Sequence, residues 1–380
     1  MNIPILTKPY AIRNAWLIWA LVFVIIAFIV ARPTNKRTVT PVYRSASINW
    51  MNGVSLYESG IGGYLYLPQA AVLYIPFAKL PPRIGEVAWR AFCLVLLAVA
   101  VWRLARLGGR GGGPELFPLM TLLVLPTALD SARNGQMNIP IAALMTFASI
   151  DLVNRRWSPA TLWLVLGLAL KPLILVLLAF SGIFYRPMRW RLAAGLLIAF
   201  ALPFLTQAPD FVLKQYGLFF TKSQSSGNPG TLAQFSDLFG ILSSFGIYAP
   251  FAVQTAVRIL ATVAIFWLCR LGLNRWGHVR GTLLLFAMTS CHTLLFNPRT
   301  ENNTYVMAGV PIALFASWAI LRDNWRLAGG MLILLIVAIS GTYEITRGNN
   351  HWLCPAMTLV FLAYLIFLLI IDKKPAAGLD

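Results

Sequence analysis

Histidine and cysteine are nearly absent from this chain and carboxylates are scarce: 380 residues hold 3 His, 4 Cys and 12 Asp and Glu, against 31 Lys and Arg. His278, His292 and His351 stand alone, and no HExxH or His/Cys cluster exists to hold a tightly bound transition metal. Cys93, Cys269, Cys291 and Cys354 form no CxxC pair and fall in apolar runs, so neither a disulfide framework nor a zinc site is expected. The net charge of +19 does not point to nucleic acid, because the basic residues are scattered at the ends of apolar runs, where lipid headgroups lie.

What is abundant is apolar sequence. The chain is 58% hydrophobic and 11% charged, with mean hydropathy +0.72. Apolar runs imply an all-α polytopic membrane protein, one transmembrane unit over 1–380, with about 12 crossings. They lie near 15–30, 86–105, 116–131, 137–153, 158–170, 172–184, 192–206, 249–269, 281–296, 304–321, 327–343 and 353–371. The connections Arg106 to Glu115, Asn154 to Trp157, Tyr185 to Arg191, Arg270 to Arg280 and Leu321 to Arg326 carry arginine, which places them in the cytoplasm. Both termini then also fall in the cytoplasm, in a multi-pass protein of the inner (plasma) membrane.

The opposite connections are long. Residues 31–85 and 207–248 form two outer loops rich in Tyr, Gly, Pro and Ser, too aromatic for disorder. Leu67 to Leu80 is too short to span and is bounded by prolines, so it reads as an interfacial helix. Thr221 to Thr231 is a mobile cover or a plain surface loop.

Lys171-Pro172 interrupts an otherwise uncharged run from Ser158 to Phe184, flanked by Arg155 and Arg156 before it and Arg186, Arg189 and Arg191 after it. One spanning helix would put the two arginine clusters on opposite sides of the membrane. Two half-helices of about 12 residues, roughly 18 Å each against a core of about 30 Å, keep both inside and put Lys171 at the tip of a re-entrant hairpin. The alternative is a single tilted helix with Lys171 paired inside the bundle.

Four polar stretches fall on the outer side: Tyr43-Arg44-Ser45-Ala46 followed by Trp50, Gly53, Leu56-Tyr57-Glu58 and YLYLP (64–68); DSARNGQMN (130–138); Lys171-Pro172; and NPRTENNTY (297–305). In this order they resemble the polyprenyl-phosphate-sugar-dependent glycosyltransferases of the GT-C superfamily, specifically family 87, the alpha-mannosyltransferase-like group. The resemblance implies a GT-C-like bundle and a lipid-phosphate sugar donor, with transfer of a hexose, mannose in the first instance, to a lipid or glycan acceptor at the outer face.

Such a transfer needs a carboxylate to take the proton of the attacking hydroxyl, which approaches from the side opposite the leaving group with inversion. It also needs cations at the departing phosphate. Arg44, Arg133, Lys171 and Arg299 are the candidate cations, and Tyr43, Gln136 and Asn138 the candidate sugar-binding groups. The family's first-loop aspartate has no counterpart, since Val39 to Val42 holds no carboxylate. Asp130 is favoured as its replacement, with Glu58 as the alternative. No cofactor is certain, though a divalent cation (Mg or Mn) could assist. Two other readings stay open: a lipid-linked sugar transporter or flippase, and a catalytically impaired protein that binds the lipid donor.

Overall fold

The computed structural model describes residues 8–32, 37–57, 63–226, 235–346 and 351–375, and among them every regular element is helical. In chain order the helices are α1 (Pro9–Ala31), α2 (Thr40–Met51), α3 (Pro68–Ala78), α4 (Pro82–Gly108), α5 (Phe117–Asn134), α6 (Asn138–Val153), α7 (Trp157–Leu170) and α8 (Leu175–Phe184). They continue as α9 (Met188–Ala201), α10 (Pro209–Ser226), α11 (Leu238–Ser244), α12 (Phe251–Phe296), α13 (Val306–Leu321), α14 (Arg326–Ser340), α15 (Thr342–Thr346) and α16 (Leu353–Ile370). Among the described residues six helical stretches are long and apolar enough to cross a membrane, consistent with a polytopic membrane protein.

Helices that are apolar on every side belong in the middle of a bundle, and that is where they lie. All of α6, Val306 to Ala319 of α13 and the second half of α12 are buried. The outer helices α1, α9 and the first half of α12 instead expose leucines, such as Leu21, Leu197 and Leu260. At the α5–α13 contact Gly309 lies so close to Thr127 that a Cβ would collide with it. Gly309→Ala is therefore expected to destabilise the protein by about 1–3 kcal/mol through overpacking, read as a lowered thermal midpoint in detergent.

The helix pair at Lys171 folds back on itself. Trp157, opening α7, and Tyr185, just past α8, bring their rings to 5.6 Å. Arg191 Nε donates to Ser158 Oγ at 3.2 Å, and a Cβ on Gly195 would meet Val165, so α9 packs directly on α7 and parallel to it, with α8 as the return leg that joins them. The two arginine clusters thus share one face, and Lys171, with extended backbone, sits at the far tip. In a cysteine-free background, Arg155→Cys and Arg186→Cys are expected to react with an impermeant maleimide from the same side, and Asn52→Cys from the other. Reaction of positions 155 and 186 from opposite sides would restore the single tilted helix.

The same face collects the other arginine-bearing connections. His278 Nε2 lies 3.0 Å from the Leu152 carbonyl, Arg322 Nη1 and Trp318 Nε1 donate to the Gly108 carbonyl, and Arg275 Nη1 donates to Leu369 O at 2.9 Å. Lys373 lies over the Trp325 ring at 3.5 Å, so the C-terminal end of α16 belongs here too.

Two connections differ from expectation. Arg270 to Arg280 is helix up to a single break at Gly277, whose φ of 78° and ψ of −175° reverse the chain. The arms of α12 then pack antiparallel, with Gly272 against Leu284 and Gly281 against Leu273. The small residues allow the close approach, so no separate loop is needed. The second long connection, 207–248, holds α10, whose buried side chains Val212, Gln215, Phe219 and Lys222 fall on one helical stripe. Two of those four are polar, which hides the stripe from a hydropathy reading. Within 221–231, residues 221–226 end α10 and the remainder lies outside the described residues. Leu67 to Leu80 forms α3, as expected from its prolines, but Ala70, Ala71 and Tyr74 are buried. Its tie to α2 is direct, with Ser47 Oγ donating to the Ala71 carbonyl at 2.8 Å.

Candidate functional site

At the end of the bundle opposite the arginine face, three chain breaks meet: the tip between α7 and α8, the turn between α5 and α6, and the connection between α12 and α13. Each exists for a local reason. Proline at 172 cannot continue α7, Gly135 supplies the left-handed residue (φ 69°) that ends α5, and Glu301 caps the 3₁₀ turn Asn302–Tyr305 that leads into α13. Chain breaks of this kind free backbone and side-chain polar groups that other parts of the protein must satisfy.

The side chains form one connected network. Lys171 Nζ donates to Asn138 Oδ1 at 2.8 Å. Asn138 Nδ2 donates to Gln136 Oε1 at 2.6 Å and to Asn303 Oδ1 at 2.8 Å. Gln136 Nε2 and Asn303 Nδ2 both donate to Glu301 Oε2, at 2.9 and 3.1 Å. The Glu301 carboxylate also accepts the backbone N–H of Thr304. No direct ion pair joins Lys171 to Glu301 among the described residues; the amides of Asn138 and Gln136 stand between cation and carboxylate.

Electrostatics tie the network together. Burial alone would raise the Glu301 carboxyl, but the Lys171 ammonium, the Gln136 and Asn303 amides and the Arg299 guanidinium outweigh it and hold the carboxyl below its ordinary value. Tyr66 adds an aromatic wall, with its ring 5.8 Å from Lys171 Nζ and its hydroxyl 3.0 Å from that of Tyr43. Arg299 lies over the Phe235 ring at 5.3 Å.

Of the sequence candidates, the fold brings Tyr43, Gln136, Asn138, Lys171 and Arg299 to this one place. Arg44 is elsewhere: its guanidinium donates to the Leu80 carbonyl at 2.7 Å and lines a separate small pocket with Tyr74, Phe77 and Glu86. Arg133 is exposed on the last turn of α5. Asp130 accepts from Arg37 at 2.6 Å, and its other carboxylate oxygen is buried with no hydrogen-bond partner. Glu58 lies outside the described residues. Glu301 and Asn303, which close the network, were within the NPRTENNTY stretch but not singled out. Glu301 is the one carboxylate in that stretch, which is the signal that could have found it.

A divalent cation would fit this donor set poorly. Glu301 is already bonded to three N–H groups and lies near two fixed positive charges, Lys171 and Arg299. No group of three or more His, Cys, Asp or Glu side chains converges among the described residues.

A helical membrane protein with a half-buried cation, a carboxylate and interposed amides at one end of its bundle has the parts to bind a phosphorylated, hydroxyl-rich ligand presented from lipid. The chain matches the model of glycosyltransferase family 87 over residues 64–298 and belongs to that family. A polyprenol-phosphate-mannose-dependent alpha-(1-2)-phosphatidylinositol mannoside mannosyltransferase of Mycobacterium tuberculosis is 31% identical over 189 residues. The match covers 42% of this chain and 43% of that protein, so the chain spans under half the length of the curated relative it matches.

Proposed function

We propose that this protein is a membrane hexosyltransferase that moves mannose from a polyprenyl phosphate carrier to a lipid or glycan acceptor at the outer face of the plasma membrane. The observation that carries this reading is the Lys171–Asn138–Gln136–Glu301 chain of side-chain contacts, with Arg299 beside its acidic end. Lys171 and Arg299 meet the phosphate, whose charge grows as the sugar leaves, and cations already held in place there stabilise that charge without reorganising. Gln136 and Asn138 exchange the hydrogen bond between them for bonds to sugar hydroxyls. A carboxylate has about four acceptor positions and Glu301 uses three, so one remains to take the proton of the acceptor hydroxyl. That hydroxyl oxygen bonds to the anomeric carbon as the carbon–phosphate oxygen bond breaks, and the phosphate departs with the electron pair. Glu301 is preferred to Asp130 because it belongs to the network, whereas Asp130 is held by Arg37. The outer placement follows from the arginine face, which the positive-inside rule puts in the cytoplasm.

The test is reconstitution. Purified protein in liposomes with polyprenyl phosphate mannose and a lipid extract from an acceptor-bearing membrane is expected to release polyprenyl phosphate and yield a mannosylated lipid or glycan. Movement of intact donor across the bilayer without cleavage would establish a flippase instead. Donor binding with neither cleavage nor movement would establish the catalytically impaired protein that the carboxylate-free Val39 to Val42 stretch allows.

A further inference from the structure

The turn that carries Gln136 and Asn138 does not hold itself in place. Its leading end is gripped by a pair of neighbouring side chains on α4, neither of which hydrogen-bonds to Lys171 or Glu301. Arg90 is 1% exposed, and its fork spends its donors on main-chain carbonyls at the end of α5: Nε to Ala132 O at 3.1 Å and Nη2 to Arg133 O at 2.9 Å. The same Nη2 donates to Thr38 Oγ1 at 3.0 Å, and Nη1 donates to the Glu86 carbonyl at 3.0 Å and lies 3.5 Å from the Glu86 carboxylate, which balances the charge. Trp89 Nε1 donates to Gly135 O at 2.8 Å, from within a nest of rings that includes Tyr74 at 5.1 Å and Phe77 at 5.1 Å.

Helix C-termini leave carbonyls without intrahelical partners, and glycine at the end commonly lets the chain turn and satisfy them. Here Gly135 makes the turn, but much of the capping comes from outside the helix. A Cβ on Gly135 would fall 2.9 Å from Arg90 Nη2 and 2.6 Å from Thr40 Cγ2, so clamp and turn are in contact with no room between them. The backbone N–H of Val39 adds a further bond, to Asn134 O at 3.0 Å, which ties the start of α2 into the same joint. Four consecutive carbonyls, from Ala132 to Gly135, are therefore held from outside α5 immediately before Gln136.

We infer that Arg90 and Trp89 are positioning residues for the sugar-binding amides: they fix the 132–135 carbonyls so that Gln136 meets Glu301 and Asn138 meets Lys171. The inference rests on the transferase reading for its kinetic readout only. A guanidinium fork can bridge adjacent carbonyls at fixed angles, which a lysine ammonium on a flexible stem cannot. Misplacement of a binding group by about 1 Å costs on the order of a hundredfold in rate.

The experiment uses the full chain in detergent. Arg90→Lys is expected to speed backbone amide exchange in peptide 131–140 by about tenfold while leaving peptide 282–295 unchanged. It is expected to lower kcat by about a hundredfold with donor KM within about threefold. Added to the double variant Gln136→Ala/Asn138→Ala, it should cost less than about threefold further, because residues acting through one unit are not additive, whereas general destabilisation would multiply with the loss at the two amides. Trp89→Phe keeps the ring packing, removes the bond to Gly135, and should show the same pattern at about three- to tenfold, which decides the matter should Arg90→Lys fail to fold. Unchanged exchange at 131–140 in the folded variants, or losses that multiply with Gln136→Ala/Asn138→Ala, overturns the inference. If the wild type transfers no sugar, the transferase reading fails by itself and the exchange measurement still decides this one.

Discussion

Glu301→Gln is expected to lower sugar transfer by about a hundred- to ten-thousand-fold while polyprenyl phosphate binding stays within a few-fold, since removing a general base costs the chemical step and leaves ground-state contacts in place. Glutamine keeps the size of the side chain and an oxygen to accept from Gln136 and Asn303, so the network should survive. The comparison that matters is Asp130→Asn. Because Asp130 is paired with Arg37 and shares no hydrogen bond with Gln136, Asn138 or Lys171, its loss should cost far less, and the reverse ranking would move the base to α5. The pH profile gives an independent check. A base must be ionised, and the Glu301 carboxyl is held below its ordinary value, so kcat/KM should remain on its plateau through the usual carboxylate range and fall only as the medium becomes more acidic than that. An acid limb near neutrality would assign the proton to another group.

Lys171→Ala should produce the second large loss, about a hundred- to a thousandfold in kcat, by the measure of removing one preorganised partner of a developing negative charge. Unlike the change at Glu301, it should weaken donor binding as well, because the phosphate is already anionic before transfer. The variant also leaves Asn138 Oδ1 without its donor, so part of the effect will come through the amides. Lys171→Arg separates the two contributions: it restores the charge but a planar fork does not occupy the place of a compact ammonium, and rescue should be partial. Normal transfer by a folded Lys171→Ala protein would remove the phosphate from this site.

The re-entrant pair was legible before any coordinates because membrane topology leaves a strong trace in sequence. Arginines on both flanks of an apolar run, with Lys-Pro in the middle, conflict with a single crossing, and the structure resolves that conflict by the fold-back seen at Trp157 and Tyr185. The same regularity let four separated polar stretches be placed on one side. Where polar residues shared a buried stripe, the trace failed: Gln215 and Lys222 break the apolar period of α10, although Gln215 Oε1 accepts from Leu56 N at 2.9 Å and packs the helix on the first loop.

Hydropathy and charge placement thus determined the membrane setting, the broken helix and the end of the bundle at which the polar residues gather, because each depends on a residue's preference for lipid, water or one side of the membrane. They could not rank the carboxylates. Asp130 lies beside Gln136 and Asn138 in sequence, yet its partner is Arg37, while Glu301, 165 residues from Gln136, accepts from it at 2.9 Å. Which side chain a helix end meets is decided by the packing of α4, α5, α6 and α13 and by the carbonyls that Arg90 and Trp89 hold. Those are contacts between segments remote in the chain, and local sequence preference carries no record of them.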